Sequence, residues 1–171
     1  SSRMLGCRAV IVMPLATPVI KVTAVRAHGG PTVEVRLFGN NYDEAAVEAK
    51  RLMAEEGMTM IHPFDDPLVI AGQGTIGLEI LKSCVSRPLD AIFVCCGGGG
   101  MLAGIAAYVK RVRPSVKVIG VEANDAAGMT ESLKHGEVTT LDNVGLFADG
   151  AAVKTIGDET VSLSFHVNEH K

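Results

Sequence analysis

Val-Cys-Cys-Gly-Gly-Gly-Gly-Met-Leu-Ala-Gly, residues 94–104, is the stretch that decides the fold. An apolar run over residues 91–95 leads into the four glycines, and Leu102, Ile105 and Val109 follow them at helical spacing. Strand, glycine turn and helix is the order that presents backbone N–H groups and the positive end of a helix to a phosphate. Because each glycine loses extra backbone entropy on folding, four in a row favour an anion-binding turn over an ordinary connection.

Strands and helices alternate on both sides of this turn. Apolar and alternating runs predict strands at residues 8–13, 33–37, 59–62, 91–95 and 117–121. Helical spacing predicts a helix after the glycines and others at residues 18–27, 42–56, 68–85 and 126–135. The first of these is expected to have Thr17 as its N-cap and Pro18 at its first helical position. The alternation is typical of an α/β protein with a largely parallel sheet, in which ligands bind beyond the carboxyl ends of the strands.

Three glycines, Gly72, Gly74 and Gly77, fall inside the predicted helix at residues 68–85. Each costs a helix up to about 1 kcal/mol relative to alanine. We therefore expect this helix to make close backbone contact with a neighbour or a ligand.

Composition excludes several classes of protein. The chain has 171 residues, 47% of them hydrophobic and 20% charged, which predicts a packed core in one domain or in parts of two. The net charge is −3 and no basic block stands out, so nucleic-acid binding has little support. There is no apolar run of membrane length and no signal peptide. The four cysteines show neither metal-ligand spacing nor a disulfide framework, which favours a reducing compartment, and Cys95 and Cys96 are expected to be buried.

Spacing alone leaves two interpretations of the glycine turn open. Gly98-x-Gly100-x-x-Ala103 fits a dinucleotide-binding turn, and Glu122 ends the next strand nineteen positions after Ala103, near where a ribose-binding acid is expected. Alternatively, four small residues let several N–H groups converge on one terminal phosphate, with about 1.5–3 kcal/mol from each charge-assisted bond. Pyridoxal phosphate is the small cofactor that such a cup would hold.

Several segments together carry a family resemblance. Residues 70–76 (Ile-Ala-Gly-Gln-Gly-Thr-Ile), 97–104 and 121–123 (Val-Glu-Ala) resemble, in this order, the threonine dehydratase and serine racemase family of pyridoxal-phosphate enzymes. That family has fold type II and is related to tryptophan synthase β. Residues 144–150 (Val-Gly-Leu-Phe-Ala-Asp-Gly), followed by 153–160, are similar to the threonine dehydratases in particular. The similarity covers about residues 1–163.

The resemblance implies a fold and an activity. The fold would be the parallel-sheet, three-layer α/β/α kind of tryptophan synthase β, truncated at both ends. Residues 1–57 would belong to the smaller, cofactor-side subdomain, and residues 58–171 to the larger subdomain that carries the phosphate-binding glycine loop. The activity would be deamination of L-threonine to 2-oxobutanoate and ammonia with pyridoxal 5'-phosphate, in isoleucine biosynthesis or threonine breakdown, and L-serine would be a second candidate substrate. The enzyme would be a homo-oligomer, a dimer or tetramer, in the cytoplasm, or in an organelle if a transit peptide exists.

The resemblance also implies roles for individual residues. Pro63 and Phe64 match a substrate-side loop, and Gly150 would lie beside the pyridine ring, where a side chain would collide. The cofactor phosphate would accept hydrogen bonds from the backbone N–H groups of Gly97, Gly98, Gly99, Gly100 and Met101. A serine racemase-like or serine dehydratase-like enzyme and a NAD-binding oxidoreductase domain stay open as alternatives.

The chain departs from the family pattern in several places. The Schiff-base lysine of the family lies in a Ser-x-Lys-x-Arg motif upstream of a Gly-Asn-His segment, and this sequence has neither motif. We therefore assign no catalytic residue here and expect an interior piece of the enzyme. Glu122 matches a metal carboxylate of the racemases, but the companion position is Gly128, which cannot ligate through a side chain, so no metal is predicted. Residues 165–171 do not continue the family pattern.

Overall fold

The computed structural model describes residues 2–40, 42–145 and 148–168, and within them strands and helices alternate. The α/β class predicted from the sequence is confirmed. The helices are α1 (Ser2–Leu5), α2 (Val19–Gly29), α3 (Tyr42–Glu56), α4 (Pro67–Ser83), α5 (Gly100–Val112), α6 (Gly128–His135) and α7 (Asp158–Asn168). The strands are β1 (Ala9–Met13), β2 (Val33–Leu37), β3 (Ala91–Cys95) and β4 (Lys117–Val121). Two short 3-10 turns cover Gly30–Thr32 and Asp149–Ala151.

The chain forms two compact units, Ser1–Met60 and Ile61–Lys171. Each unit holds a pair of parallel strands with a helix between them in sequence, which is the connection that parallel strands require. In the first unit β1 pairs with β2, and in the second β3 pairs with β4. The parallel pairing agrees with the sequence prediction. The assignment of residues 1–57 and 58–171 to named subdomains stays a prediction.

In the first unit, a charged cluster lies beside the apolar residues of α3. Glu48 is only 5% exposed, and its carboxylate accepts hydrogen bonds from the guanidinium groups of Arg51 (2.7 Å) and Arg36 (3.2 Å). These bonds, of which the Arg51 bond contributes most, lower the pKa of Glu48 to about 2. The buried carboxylate is therefore held in its charged form by two guanidinium groups.

The second unit has a core built from β3, β4 and the helices around them. Its buried members are Leu81, Ile92, Val94, Cys96, Leu102, Ile105, Val109, Val116, Met129, Ile156 and Val161. Several of these residues come directly before and after the glycine turn in the sequence. The turn is therefore anchored to the core at both of its ends.

Helices α4 and α5 approach each other through glycines. A Cβ added at Gly74 would lie 3.1 Å from the carbonyl oxygen of Gly104, and one added at Gly77 would lie 3.2 Å from the Val109 side chain. One added at Gly104 would overlap the carbonyl oxygen of Ile70. The predicted close contact is therefore confirmed for Gly74 and Gly77. The described residues show no such contact with a neighbour at Gly72, where an added Cβ would meet nothing within 4 Å.

The strand predicted at residues 59–62 is wrong. Residues 57–62 have no regular structure and pair with no described strand. Instead, the ring Nδ1 of His62 accepts a hydrogen bond from the N–H of Asp65 (2.8 Å) and turns the chain. An extended run needs a partner strand to become part of a sheet, and none of the strands in the described residues pairs with this one.

Three smaller predictions need correction. Helix α2 begins at Val19 with Pro18 as its N-cap, one residue later than expected, because Pro18 has an extended backbone (φ −54°, ψ 135°) while its carbonyl accepts the first bonds of the helix, from the N–H groups of Lys21 and Val22. Helix α6 begins at Gly128 rather than residue 126. Of the two adjacent cysteines, Cys96 is buried and Cys95 is exposed, as alternation along a strand dictates. No helix in the described ranges has the length and apolar character needed to cross a membrane.

Candidate functional site

The glycine loop, residues 97–100, lies at the carboxyl end of β3 and leads directly into α5. Gly99 is the N-cap of α5 and has φ 94° and ψ −15°, a left-handed conformation that favours glycine. Gly98, Gly99 and Gly100 are buried, while Gly97 is half-buried. The structure thus places the loop at the end of a parallel strand and at the positive end of a helix of 13 residues.

The backbone N–H groups of the loop form a continuous run of donors. The N–H of Cys96 still belongs to the sheet, because it donates to the carbonyl of Val121 at 2.9 Å. From Gly97 to Met101, no N–H has a protein acceptor within the described ranges. Buried backbone amides nearly always have a partner, so donors at a helix N-terminus suit an anion. The residues present therefore fit a phosphate group.

The N-terminus of α7 closes one side of the loop. The carbonyl of Gly98 accepts hydrogen bonds from the hydroxyl of Thr160 (2.9 Å) and from the N–H of Gly157 (3.3 Å). A Cβ added at Gly99 would lie 2.7 Å from both Thr160 Oγ1 and Met129 Cε. Thr160 is fully buried. These contacts leave no room for a side chain on this side of the loop.

The segment 62–66 closes another side of the loop. A Cβ added at Gly98 would overlap the ring of Phe64, and one added at Gly100 would lie 2.6 Å from the Phe64 carbonyl oxygen. The rings of Phe64 and His62 meet edge to face with centroids 4.8 Å apart. The structure therefore brings Phe64 to the predicted phosphate loop, with the exposed Pro63 beside it in the chain. Their role as a substrate-side loop stays a prediction.

Asp65 is a residue of this site that sequence reasoning missed. Its carboxylate accepts hydrogen bonds from the N–H groups of Asp158 (3.1 Å), Glu159 (3.0 Å) and Thr160 (3.3 Å), the first residues of α7. Aspartate is a preferred helix-capping residue, but this one caps a helix more than ninety residues away in the sequence. The neighbouring Asp66 caps its own helix, α4. The only sequence signal for Asp65 is its type.

Gly150 lies in the 3-10 turn Asp149–Ala151, and its neighbour Ala151 contacts the glycine loop. A Cβ added at Gly97 would lie 3.0 Å from the Cα of Ala151, whereas one added at Gly150 would meet nothing within 4 Å. Gly150 therefore has open space where a side chain would point. Its place beside the pyridine ring stays a prediction. Residues 146–147, part of the threonine dehydratase-like stretch, lie outside the described residues.

Glu122 has a structural role in this molecule. Its carboxylate accepts hydrogen bonds from the N–H groups of Met129 (2.8 Å) and Thr130 (2.9 Å) and from the Thr130 hydroxyl (2.7 Å). It therefore caps the N-terminus of α6, which explains why that helix starts at Gly128. Within the described ranges, no group of three His, Cys, Asp or Glu side chains is arranged to hold a metal ion.

Comparison with known families decides between the two interpretations of the loop. The family model described as pyridoxal-phosphate dependent enzyme matches residues 1–168. The chain belongs to this pyridoxal-phosphate dependent enzyme family. The dinucleotide-binding interpretation of the glycine turn is therefore wrong.

Similar members of the pyridoxal-phosphate dependent family are threonine dehydratases. The chain is 56% identical over 163 residues to the biosynthetic L-threonine dehydratase of Burkholderia multivorans, a match that covers 95% of the chain and 32% of that protein. It is 58% identical over 164 residues to the chloroplastic biosynthetic threonine dehydratase of Arabidopsis thaliana, covering 96% and 27% respectively. The chain thus spans about a third or less of the length of these curated relatives.

Solved structures show the same fold. The processed form of threonine deaminase isoform 2 from Solanum lycopersicum matches with a TM-score of 0.85 and 48% identity, covering 93% of the chain and 45% of that protein. Serine racemase from Dictyostelium discoideum matches with a TM-score of 0.79 and 31% identity, covering 95% and 50%. The fold type II architecture expected from the sequence is confirmed, and the racemase is the more distant in sequence of these two.

Proposed function

We propose that this chain forms the phosphate-binding part of a pyridoxal-phosphate dependent threonine dehydratase. The observation that carries the proposal is the run of N–H donors from Gly97 to Met101 at the N-terminus of α5, in a chain more than half identical to threonine dehydratases. The whole enzyme would convert L-threonine to 2-oxobutanoate and ammonia. L-Serine, which differs from L-threonine by one methyl group, would be a second substrate.

The residues of this chain would bind and orient the cofactor. The amides of Gly97 to Met101 would hold its phosphate, and the positive end of α5 would favour the charge of that group. Phe64 would exclude water from one side of the loop, and Gly150 would leave room for the ring. When bound, pyridoxal phosphate supplies an electron sink for chemistry at the amino-acid α-carbon. None of the residues proposed here carries a proton transfer.

Assembly and location follow from the same proposal. We expect a homo-oligomer, a dimer or a tetramer, because the family resemblance implies one. The names of two relatives place them in organelles, the chloroplast in Arabidopsis thaliana and the mitochondrion in Schizosaccharomyces pombe. The parent enzyme is accordingly expected in the cytoplasm or, with a transit peptide, in an organelle.

A chimeric enzyme tests the proposed activity. Residues 1–163 would replace the matching segment of Escherichia coli biosynthetic L-threonine dehydratase, which is 52% identical over 163 residues. We expect 2-oxobutanoate formation from L-threonine, measured with a coupled dehydrogenase, at a kcat/KM within about tenfold of the parent. A chimera with Gly99→Ala is the matched inactive control, because its left-handed backbone and its neighbours exclude a Cβ. A folded chimera that only racemises serine would contradict the proposal.

A further inference from the structure

We propose that Thr160 and Asp65 are positioning residues that orient the Gly98–Gly99 peptide so that it donates a hydrogen bond to the cofactor phosphate. This role rests on the proposed function, in which the glycine loop binds that phosphate. The structure joins the three residues in one chain of contacts. The Asp65 carboxylate holds the first turn of α7, and Thr160 in that turn donates to the Gly98 carbonyl.

Because the Gly98–Gly99 peptide is trans, the Thr160 bond to the Gly98 carbonyl also fixes the direction of the Gly99 N–H. The described residues contain no cis peptide bond. In a trans peptide the C=O and the following N–H point in opposite directions. The Gly98 carbonyl points to the Thr160 hydroxyl (2.9 Å) and the Gly157 N–H (3.3 Å), so the Gly99 N–H points away from α7. The hydroxyl thereby sets the direction of a donor that it does not touch.

A peptide between two glycines needs such an anchor. Neither residue has a Cβ that would resist rotation of the peptide plane, and Gly99 has a left-handed backbone (φ 94°) that residues with a Cβ rarely adopt. A flipped Gly98–Gly99 peptide would present a carbonyl oxygen where the phosphate needs a donor. One oriented donor would be lost and one repulsive oxygen gained.

The Thr160 hydroxyl has one proton and two carbonyls within reach. Its oxygen lies 2.9 Å from the Gly98 oxygen and 2.8 Å from the Gly157 oxygen. The proton serves one of these carbonyls at a time, and it ties the loop to α7 when it lies on the Gly98 oxygen. The Gly157 N–H donates to the same Gly98 oxygen (3.3 Å) in either case. Valine at this position keeps the shape of threonine and removes the proton that both contacts use.

Asp65 acts on the loop indirectly, by holding the start of α7, where Thr160 lies. Its carboxylate accepts from three successive N–H groups at the start of α7, where a negative charge is favourable. Next to it in the chain, Phe64 packs on Gly98 and Gly100. The segment 64–65 therefore touches the loop directly on one side and fixes the helix that touches it on the other.

A phosphate titration of the 171-residue chain and its variants tests this role. The Kd for inorganic phosphate is read from the 1H–15N shifts of the loop amides, well below the melting temperature of each variant. Thr160→Val is expected to raise Kd by about 5- to 30-fold, and Thr160→Ser to restore it to within about twofold. Ser164→Ala is the matched control, since Ser164 is a buried hydroxyl of α7 that bonds the Thr160 carbonyl and does not touch the loop.

The outcomes separate the positioning role from a purely structural one. A structural role would lower the melting temperature of Thr160→Val and leave Kd in the folded chain unchanged, and that result would overturn the positioning role alone. If the unchanged chain binds neither phosphate nor pyridoxal phosphate, the proposed function fails as well. If Thr160→Val does not fold, Asp65→Asn takes its place, with an expected rise in Kd of about threefold or more; an unchanged Kd there would also overturn the role.

Discussion

The glycines of the second unit fall into two sets with different roles, one at the α4–α5 crossing and one in the glycine loop. At the α4–α5 crossing, Gly74, Gly77 and Gly104 let two helices approach until backbone meets backbone or side chain. Their N–H groups belong to the helical hydrogen-bond pattern. In the glycine loop, neighbouring segments also fill the space where side chains would be, but the N–H groups have no acceptor within the described ranges. The position of the donors, and not the number of glycines, is what distinguishes the proposed phosphate site from the helix crossing.

Gly104, at the crossing, is expected to be more sensitive to added volume than Gly98 in the glycine loop. In Gly104→Ala, the new Cβ would overlap the Ile70 carbonyl oxygen and lie 2.8 Å from the Gly74 nitrogen, and backbone atoms cannot move aside as a side chain can. We expect a loss of about 3 kcal/mol in the free energy of unfolding, measured by urea denaturation. A loss below about 1 kcal/mol would show that the helices separate easily.

Gly98→Ala is expected to combine a smaller loss of stability with a loss of binding. The added Cβ would overlap the Phe64 ring, a side chain that can move, so we expect a cost of about 1–2 kcal/mol. A double-mutant cycle with Phe64→Ala should recover about half of that cost, because it removes the clashing ring. Strictly additive effects in urea denaturation would show that Phe64 does not pack on the loop.

Gly72→Ala is the matched control for the crossing and should have the opposite sign. Gly72 lies in the same helix, α4, but its added Cβ would meet nothing within 4 Å. Alanine is the better helix former, so the free energy of unfolding should rise by about 0.5–1 kcal/mol. Destabilisation measured in the same urea experiment would mean that the Gly72 face of α4 is covered.

Alkylation of Cys95 and Cys96, which directly precede the glycine loop, measures whether the loop is closed. Burial raises the pKa of the Cys96 thiol to about 12, and the Glu122 charge adds to the shift, whereas Cys95 is exposed. Alkylation at about pH 8 should therefore modify Cys95 and leave Cys96 protonated and protected, as read by mass spectrometry. Gly98→Ala should increase the labelling of Cys96 and Gly72→Ala should not. Equal labelling of the two cysteines in the unchanged chain would place the loop in an open state.

The sign of the pH effect on stability follows from the raised Cys96 pKa. The buried neutral thiol contributes its full stability below the ordinary thiol pKa, which is near 9. That contribution falls as the pH rises from about 9 towards about 12, because in this range the Cys96 thiol ionises readily only in the unfolded chain. Cys96→Ala should remove this part of the alkaline loss, whereas Cys95→Ala should leave it unchanged in urea denaturation followed against pH.

The sequence predicted features that depend on neighbours along the chain. The strand, glycine turn and helix at residues 91–112 follow from local periodicity, and the structure has them where they were expected. The strand at residues 59–62 failed because a strand depends on a partner that local pattern does not reveal. Asp65 was missed for the same reason, since its three donors lie 93–95 residues away.

The glycines of α4 show what helix geometry could have added. Gly74 and Gly77 are three residues apart and share a helix face, whereas Gly72 is two residues before Gly74 and points elsewhere. Spacing could therefore have separated Gly72 from the other two. It could not have shown that α5 is the partner or that Gly104 is the facing residue, because that pairing is set by tertiary packing.

The most direct test of the central claim is a 1H–15N NMR titration of the 171-residue chain with pyridoxal phosphate and, separately, with inorganic phosphate. The loop amides from Gly97 to Met101 are predicted to shift together and to saturate with both ligands, because both present a phosphate to the same donors. Shifts that leave these amides unchanged and concentrate at Lys110 and Arg111, in the last turn of α5, would show binding to surface charge. That result would contradict the assignment of the glycine loop as the phosphate site.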